Sequence, residues 1–236
     1  MKGIALVGDH NSGKTTLGLK IVEILKKRGY HPFVIKHAPH TKSFADEGKD
    51  TERYLSVTGS VLLQGDGVYG LFVKDHMPLH KIFSLMRDVG ANFLLYEGTP
   101  HGLLIPWLKV GSGKGDSPYT LWHVENPSQM TDEDIDKLVD EILEKAWTIP
   151  MMLNCGKCGV DTCQEYVKDI LKGVDRKCVL WDSRLRIIVD GREIPLVPFI
   201  EKLYDSVIRS LINNLKGVSS GYHSVNIYMR GEQDED

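Results

Sequence analysis

The chain has 236 residues, with 29 lysines and arginines against 32 aspartates and glutamates and a formal net charge of −3; this lacks the basic excess of a nucleic-acid binder, and its apolar runs are too short for a membrane span. The length and apolar content suit one large domain or two modest ones with a real core. The N-terminal run lacks the long apolar stretch and small-residue cleavage site of a signal peptide, so a cytoplasmic protein is expected, and there clustered cysteines bind metal or do redox chemistry rather than pair as disulfides.

In chain order, Ile4-Ala5-Leu6-Val7 is an apolar run bounded by glycines and reads as a buried strand. From Thr15 to Arg28, Leu17, Ile21, Ile24 and Leu25 recur at helical spacing, and Gly29 stops the helix. Phe33-Val34-Ile35 is the next strand, so a strand–loop–helix–strand unit and a parallel sheet are expected. Further strands are expected at 61–63, 69–73, 93–96 and 119–124, and helices at 79–89 and 132–145. Residues 111–118, GSGKGDSP, read as a flexible turn.

Gly8-Asp9-His10-Asn11-Ser12-Gly13-Lys14-Thr15 fits GxxxxGK(S/T) directly after the first strand and before the first helix. Glycines let the backbone wrap a phosphate with its N–H groups inward, and the helix N-terminus adds about half a positive charge. The candidate nucleotide cradle is Gly8, Asn11, Ser12, Gly13, Lys14, Thr15 and Thr16, with Lys14 reaching the β- and γ-phosphates and the Thr15 hydroxyl on Mg²⁺. No NKxD-type guanine element follows, so the base is not legible from the residues. Glu97, at the end of the strand Phe93-Leu94-Leu95-Tyr96, is the candidate acidic partner near Mg²⁺, because ligands in open α/β folds sit at the carboxyl edge of the sheet. Lys36-His37-Ala38-Pro39-His40 and the run from Asp46 to Arg53 emerge at the same edge. They suit anion or metal recognition, or simply a solvated loop.

The arrangement GDHNSGKTTL…VIKHAPH…DEGKDTERY…TGS…LLYEG resembles the MobB family, the molybdopterin-guanine dinucleotide biosynthesis protein B group, over about residues 1–130. The IKH-x-x-H and GKD-(S/T)-x-R elements carry the resemblance more specifically than the phosphate loop does. The resemblance implies a homodimeric GTP-binding protein with weak GTPase activity. Such proteins assist attachment of GMP to molybdopterin or delivery of the finished cofactor, so a MobA-type guanylyltransferase, a molybdo- or tungsto-enzyme client and a molybdopterin-type ligand are the implied partners. By position, Lys14 and Glu97 are the implied catalytic pair, and Thr15, Asp46 and Glu97 the Mg²⁺ ligands. His37, His40, Asp46, Lys49, Asp50 and Arg53 fall in the second motif block. Thr99-Pro100 stand where the family carries an aromatic residue and a lysine.

All four cysteines of the chain follow, as Cys155-x2-Cys158-x4-Cys163-x14-Cys178. Thiolates suit iron–sulfur clusters or zinc, and the second half lacks the CxxC knuckle of a zinc ribbon. Asp161 or Thr162 can cap a helix starting near Cys163, with Tyr166, Val167, Ile170 and Leu171 on its apolar face and Gly173 at its end. Ten helical residues advance about 15 Å, and residues 173–178 can return roughly that far if extended. Cys178 therefore reaches back to the helix start. The pattern resembles the four-cysteine 4Fe–4S domain of corrinoid iron–sulfur proteins and RnfB-type electron-transfer subunits, over about residues 155–178. That implies a 4Fe–4S cluster on Cys155, Cys158, Cys163 and Cys178, with Zn²⁺ as the alternative.

A strand at 185–189, a turn at Asp190-Gly191, an amphipathic helix at 199–215 and a strand at 225–229 complete the chain, before an acidic tail. The helix stripe of Phe199, Ile200, Leu203, Tyr204, Val207, Ile208, Leu211, Ile212 and Leu215 is read as core. The expected organisation is an α/β P-loop NTPase domain with a mostly parallel sheet at 1–148, an iron–sulfur segment at 149–182 and a small C-terminal α/β unit at 183–236. The leading functional expectation is a GTP-binding accessory protein for molybdenum or tungsten pterin cofactor assembly. The alternatives are a nucleotide-gated iron–sulfur redox module and a P-loop small-molecule kinase.

Overall fold

The first apolar run is buried at Ile4, Ala5 and Leu6 because its strand is flanked by others on both sides. The computed structural model describes residues 1–38, 50–74, 77–113, 117–183, 185–189, 192–219, 221–222, 225, 227 and 229. In it β1 (Lys2–Val7) runs through a glycine-bearing loop into α1 (Lys14–Lys27) and β2 (Pro32–Lys36). Next come α2 (Asp50–Thr58), the antiparallel hairpin of β3 (Ser60–Gln64) and β4 (Tyr69–Val73), and α3 (Leu79–Asp88). β5 (Phe93–Glu97), β6 (Trp107–Val110), β7 (Thr120–Val124), α4 (Asp132–Lys145) and α5 (Cys163–Leu171) follow. These elements lie in one unit, Met1–Trp181. The second unit, Asp182–Asp236, holds the hairpin β8 (Ile187–Val189) and β9 (Arg192–Ile194), followed by α6 (Pro198–Asn213).

Five strands form one parallel sheet in the order β2-β5-β1-β6-β7. The expected α/β fold with a parallel sheet is present. Alternating residues of the central strands face opposite covers. Ile4, Leu6 and Leu95 pack with Leu17, Ile21 and Leu25 of α1 and with Ile135, Val139 and Ile142 of α4. Ala5 and Leu94 pack on the other face with Phe83 and Met86 of α3 and with Tyr166 and Val167 of α5. A strand covered on both faces reads as a continuous apolar run, which is why β1 and β5 show no polar alternation. The sheet's order turns about β1, and the loop leaving its carboxyl end opens at the position where such folds hold ligands.

Local chemistry sets the helix ends. The Thr131 hydroxyl accepts from the Asp134 N–H at 3.1 Å, while the Asp134 carboxylate accepts from the Thr131 N–H at 2.9 Å, a reciprocal cap that starts α4. Three acidic residues in its first turn suit the positive end of the helix dipole. Gly29 at φ 82° supplies the left-handed turn after α1.

Several expectations change. β6 and α2 were not expected; α2 falls in the charged run read as part of a loop, and β6 pairs directly with β1. The second unit carries a hairpin before its helix rather than one strand, and no residue of α6 is fully buried: of the apolar stripe read as core, Ile200, Ile208 and Ile212 are half-buried and the rest exposed. The Asp190-Gly191 turn lies outside the described residues, as do part of the 111–118 turn and part of the 225–229 strand. Among the described residues no helix is long and apolar enough to cross a membrane.

Candidate functional site

The loop after β1 takes its shape from residues that tolerate left-handed backbone. Asn11 lies at φ 59° and Gly13 at φ 87°, where a branched or bulky side chain would be strained. Gly8 is needed for space, since a Cβ there would collide with the Val110 carbonyl oxygen of β6. The Lys14 ammonium is held within the loop, donating to the Gly8 carbonyl at 3.0 Å, to the Asp9 carbonyl and to Ser12 Oγ at 3.3 Å. The 111–113 segment comes close from β6: a Cβ on Gly111 would stand 3.0 Å from the Ser12 Cβ.

Beside the loop, the Thr15 hydroxyl at the start of α1 donates to Glu97 Oε1 at 2.7 Å. Lys36 ends β2, in register with Glu97 at the end of β5. Its ammonium stands 3.0 Å from Glu97 Oε1 and 3.3 Å from Thr15 Oγ1. The Glu97 side chain is only 12% exposed, whereas that of Lys36 is 57% exposed, so the carboxylate is the fixed member of this triangle. Next to it the His37 ring stacks on Tyr96 at 6.4 Å and meets the edge of His101 at 5.4 Å. Gly98, at φ 119°, lets the chain pass this ring: a Cβ there would come within 2.9 Å of the His37 Cβ.

The structure thus brings together Gly8, Asn11, Ser12, Gly13, Lys14, Thr15, Thr16, Glu97 and His37 at the carboxyl edge of the sheet. Asp50 and Arg53 lie on the first turn of α2, where they pair with each other at 3.7 Å on an exposed surface. His40, Asp46 and Lys49 lie outside the described residues. His101 is a residue that sequence reasoning did not name. Lys36 was named only within the polar segment after the second strand; its contact with Glu97 follows from the register of β2 on β5, which is a tertiary fact.

The cysteine segment forms the second site. Cys155, Cys158, Cys163 and Cys178 carry free thiols and line one pocket with Met151, Leu153, Val160, Tyr166 and Leu180. Cys163 opens α5, capped by Thr162, whose hydroxyl accepts from the Glu165 N–H at 3.1 Å. Asn154 accepts from the Cys163 N–H at 2.8 Å, tying the first knuckle to the helix start. Arg176 pairs with Asp169 at 2.7 Å and donates to the Cys158 carbonyl at 2.6 Å, which fastens the returning segment to the CxxC turn. Burial pushes the Cys178 thiol up to about 11, and burial likewise raises Cys158. The backbone N–H groups of Met151 and Leu180 oppose this at Cys178, and that of Val179 opposes it at Cys158. N–H groups facing sulfur favour the thiolate, whereas burial favours the protonated thiol, and at Cys178 and Cys158 burial is the larger effect. Among the described residues no group of three or more His, Cys, Asp or Glu side chains is arranged to hold one metal ion, although the four thiols line one pocket.

The pocket is built into the first unit's core. The Tyr166 hydroxyl, inside the core, donates to the Thr148 carbonyl at 2.8 Å, and Thr148 forms an antiparallel bridge with Lys2 of β1. Trp181 donates to the Ile149 carbonyl at 2.6 Å and packs edge-on against Phe83 at 5.3 Å. Arg87 of α3 lies over the Trp181 ring and donates to the Leu180 carbonyl.

Comparison with known proteins finds two family models on this chain. "Molybdopterin guanine dinucleotide synthesis protein B" matches residues 4–106, and "Putative Fe-S cluster" matches residues 152–179. A "Putative molybdopterin-guanine dinucleotide biosynthesis adapter protein" of Methanocaldococcus jannaschii is 35% identical over 225 residues, covering 93% of this chain and 94% of that protein. A "Probable molybdopterin-guanine dinucleotide biosynthesis adapter protein" of Bacillus subtilis is 34% identical over 98 residues, covering 40% of this chain and 57% of that one. Among solved structures, MobB of Bacillus subtilis aligns at 22% identity with a TM-score of 0.43, covering 61% of this chain and 97% of that one. The MobB homologue of Bacillus stearothermophilus aligns at 19% identity with a TM-score of 0.42, covering 61% and 99%.

Proposed function

The chain belongs to the MobB family, and on that premise we propose that it is a GTP-binding adapter in the assembly or delivery of a molybdenum or tungsten pterin cofactor, carrying a 4Fe–4S cluster in its cysteine pocket. The observation that carries the nucleotide half is the assembly at the sheet edge. A wrapped loop, a lysine inside it, and a hydroxyl–carboxylate pair 2.7 Å apart on separate elements form the set that a triphosphate with a divalent ion requires. Mg²⁺ bound there would neutralise charge on the β- and γ-phosphates. Lys14 would turn its ammonium from the loop carbonyls to the phosphates, the loop N–H groups would grip them, and Thr15 and Glu97 would hold the ion. Glu97 would also orient an attacking water in a slow GTPase reaction. His37, together with His40, Asp46, Lys49, Asp50 and Arg53 of the second motif block, would form the side of the site that meets the pterin or its nucleotide.

Cys155, Cys158, Cys163 and Cys178 would hold the cluster, whose chemistry is one-electron transfer. The four cysteines line one pocket, backbone N–H groups face the Cys158 and Cys178 sulfurs, and the segment matches an Fe-S family model, which together support the cluster over zinc. A homodimer fits the β3–β4 hairpin, which exposes Leu62, Leu63, Tyr69 and Leu71. The MobA-type guanylyltransferase or an apo-molybdoenzyme is the expected client, and the pterin cofactor the expected cargo.

A second reading, a nucleotide-gated redox module, has one observation in its favour: α5 and Cys178 share a core with β1 and β5, the strands that carry the loop and Glu97. The test is a reconstituted cofactor-loading assay with the anaerobically purified chain. The adapter reading predicts GTP-dependent loading that Lys14→Ala abolishes. Loading indifferent to both GTP and Lys14, alongside nucleotide-dependent electron transfer, would favour the redox module.

A further inference from the structure

The triangle at the sheet edge contains a charge that the nucleotide reading does not use. Lys36 and Glu97 are register partners on adjacent parallel strands, so their side chains leave the sheet on the same side. The Lys36 ammonium stands 3.0 Å from Glu97 Oε1 and 3.3 Å from Thr15 Oγ1, and these two oxygens are 2.7 Å apart. An octahedral Mg²⁺ with bonds of about 2.1 Å holds neighbouring oxygens roughly 3 Å apart. The ammonium therefore engages the same pair of oxygens, at nearly the same separation, that such an ion would bind.

We propose that Lys36 is a tethered monovalent cation that competes with the divalent ion for the Thr15–Glu97 pair and acts as counter-charge to nucleotide phosphate when no divalent ion is bound. This rests on the nucleotide-binding reading. Two cations at those oxygens compete, because each draws on the same Glu97 Oε1 and Thr15 Oγ1 and the two repel each other at that range. The arrangement permits exchange. Glu97 is nearly buried and fixed, whereas Lys36 is a mostly exposed compact charge on a flexible stem, able to swing aside. It is also positioned to follow the phosphates, since Thr15 lies beside Lys14 in the loop.

Sites that exclude each other are antagonistically coupled, and the coupling is reciprocal. Removing Lys36 acts in one direction on two quantities: nucleotide binding without metal weakens, and the gain on adding Mg²⁺ grows. The experiment is calorimetry of GTP binding to the full chain and to Lys36→Met, each in excess Mg²⁺ and in EDTA. The readout is the ratio of Kd in EDTA to Kd in Mg²⁺. The ratio is expected to rise about tenfold in Lys36→Met, within the usual range for coupled sites, and to stay near the parent value in Lys36→Arg, which keeps a charge. An unchanged ratio in a Lys36→Met protein that still binds GTP overturns the proposal and leaves the nucleotide reading standing. If neither protein binds GTP or ATP under any condition, the nucleotide reading falls and this proposal with it. Thermal melts confirm that the variants are folded; if Lys36→Met is not, Lys36→Gln gives the same readout.

Discussion

The loop after β1 and the cysteine pocket organise their proposed ligating groups by opposite means. At the loop, backbone conformation does most of the work: left-handed positions at Asn11 and Gly13 and the missing side chain at Gly8 set the cradle, and a few polar side chains converge at its open rim. In the pocket, four side chains are the proposed ligands, and the backbone faces two of them, Cys158 and Cys178, with N–H groups. The first arrangement stands preorganised by the chain alone. In the second, burial disfavours ionisation of the Cys178 and Cys158 thiols, so binding of the proposed cluster and local stability would be linked there.

The sharpest break of that comparison is ligand removal in the pocket. Cys155→Ser is expected to abolish the broad visible absorbance and the iron and sulfide content of the anaerobically purified chain, while GTP affinity changes less than about threefold for a site on the far side of the core. A colourless parent protein holding one zinc would reject the cluster. At the loop, Lys14→Ala removes a charged hydrogen-bond donor worth about 1.5–3 kcal/mol, so GTP affinity should fall roughly ten- to a hundredfold in calorimetry with the visible spectrum unchanged. A matching loss of colour would mean that the two sites are not separable.

Smaller effects test what supports each site. Gly8→Ala forces a methyl group against the Val110 carbonyl between the loop and β6, a clash in rigid backbone. It should destabilise the fold by about 1–3 kcal/mol and weaken GTP binding; a thermal melt indistinguishable from the parent would show the loop to be looser than drawn. Tyr166→Phe removes the hydroxyl that donates to the Thr148 carbonyl beneath the pocket. A loss of about 1 kcal/mol is expected, with faster loss of the cluster to a chelator and no change in GTP affinity.

Much of the first site was legible because it is local. The loop motif, the strand before it and the helix after it are contiguous, and the capped helix α4 declares its start through Thr131 and Asp134. β6 was not legible: Trp107-Leu108-Lys109-Val110 is four residues long, follows a proline and contains a lysine, yet it pairs with β1 next to the loop. α2 was hidden by its charge, with Leu55 its one buried residue. The contact of Lys36 with Glu97 depends on the pairing of strands separated by 56 residues or more of chain, β2 with β5, which no local pattern encodes. In the pocket, the helix from Cys163 and its glycine stop were readable from spacing, but not that Tyr166 and Val167 would close the second face of the sheet. The stripe on α6 misled for the converse reason: amphipathic spacing reports a face suited to burial, and within the described structure none of its residues is buried.

The most direct measurement is calorimetry of the anaerobically purified full chain with GTP in magnesium buffer, beside Lys14→Ala. The account predicts saturable binding at one site per chain that the substitution weakens at least tenfold. If neither GTP nor ATP binds the parent chain, or if both proteins bind alike, the loop is not the nucleotide site and the account fails.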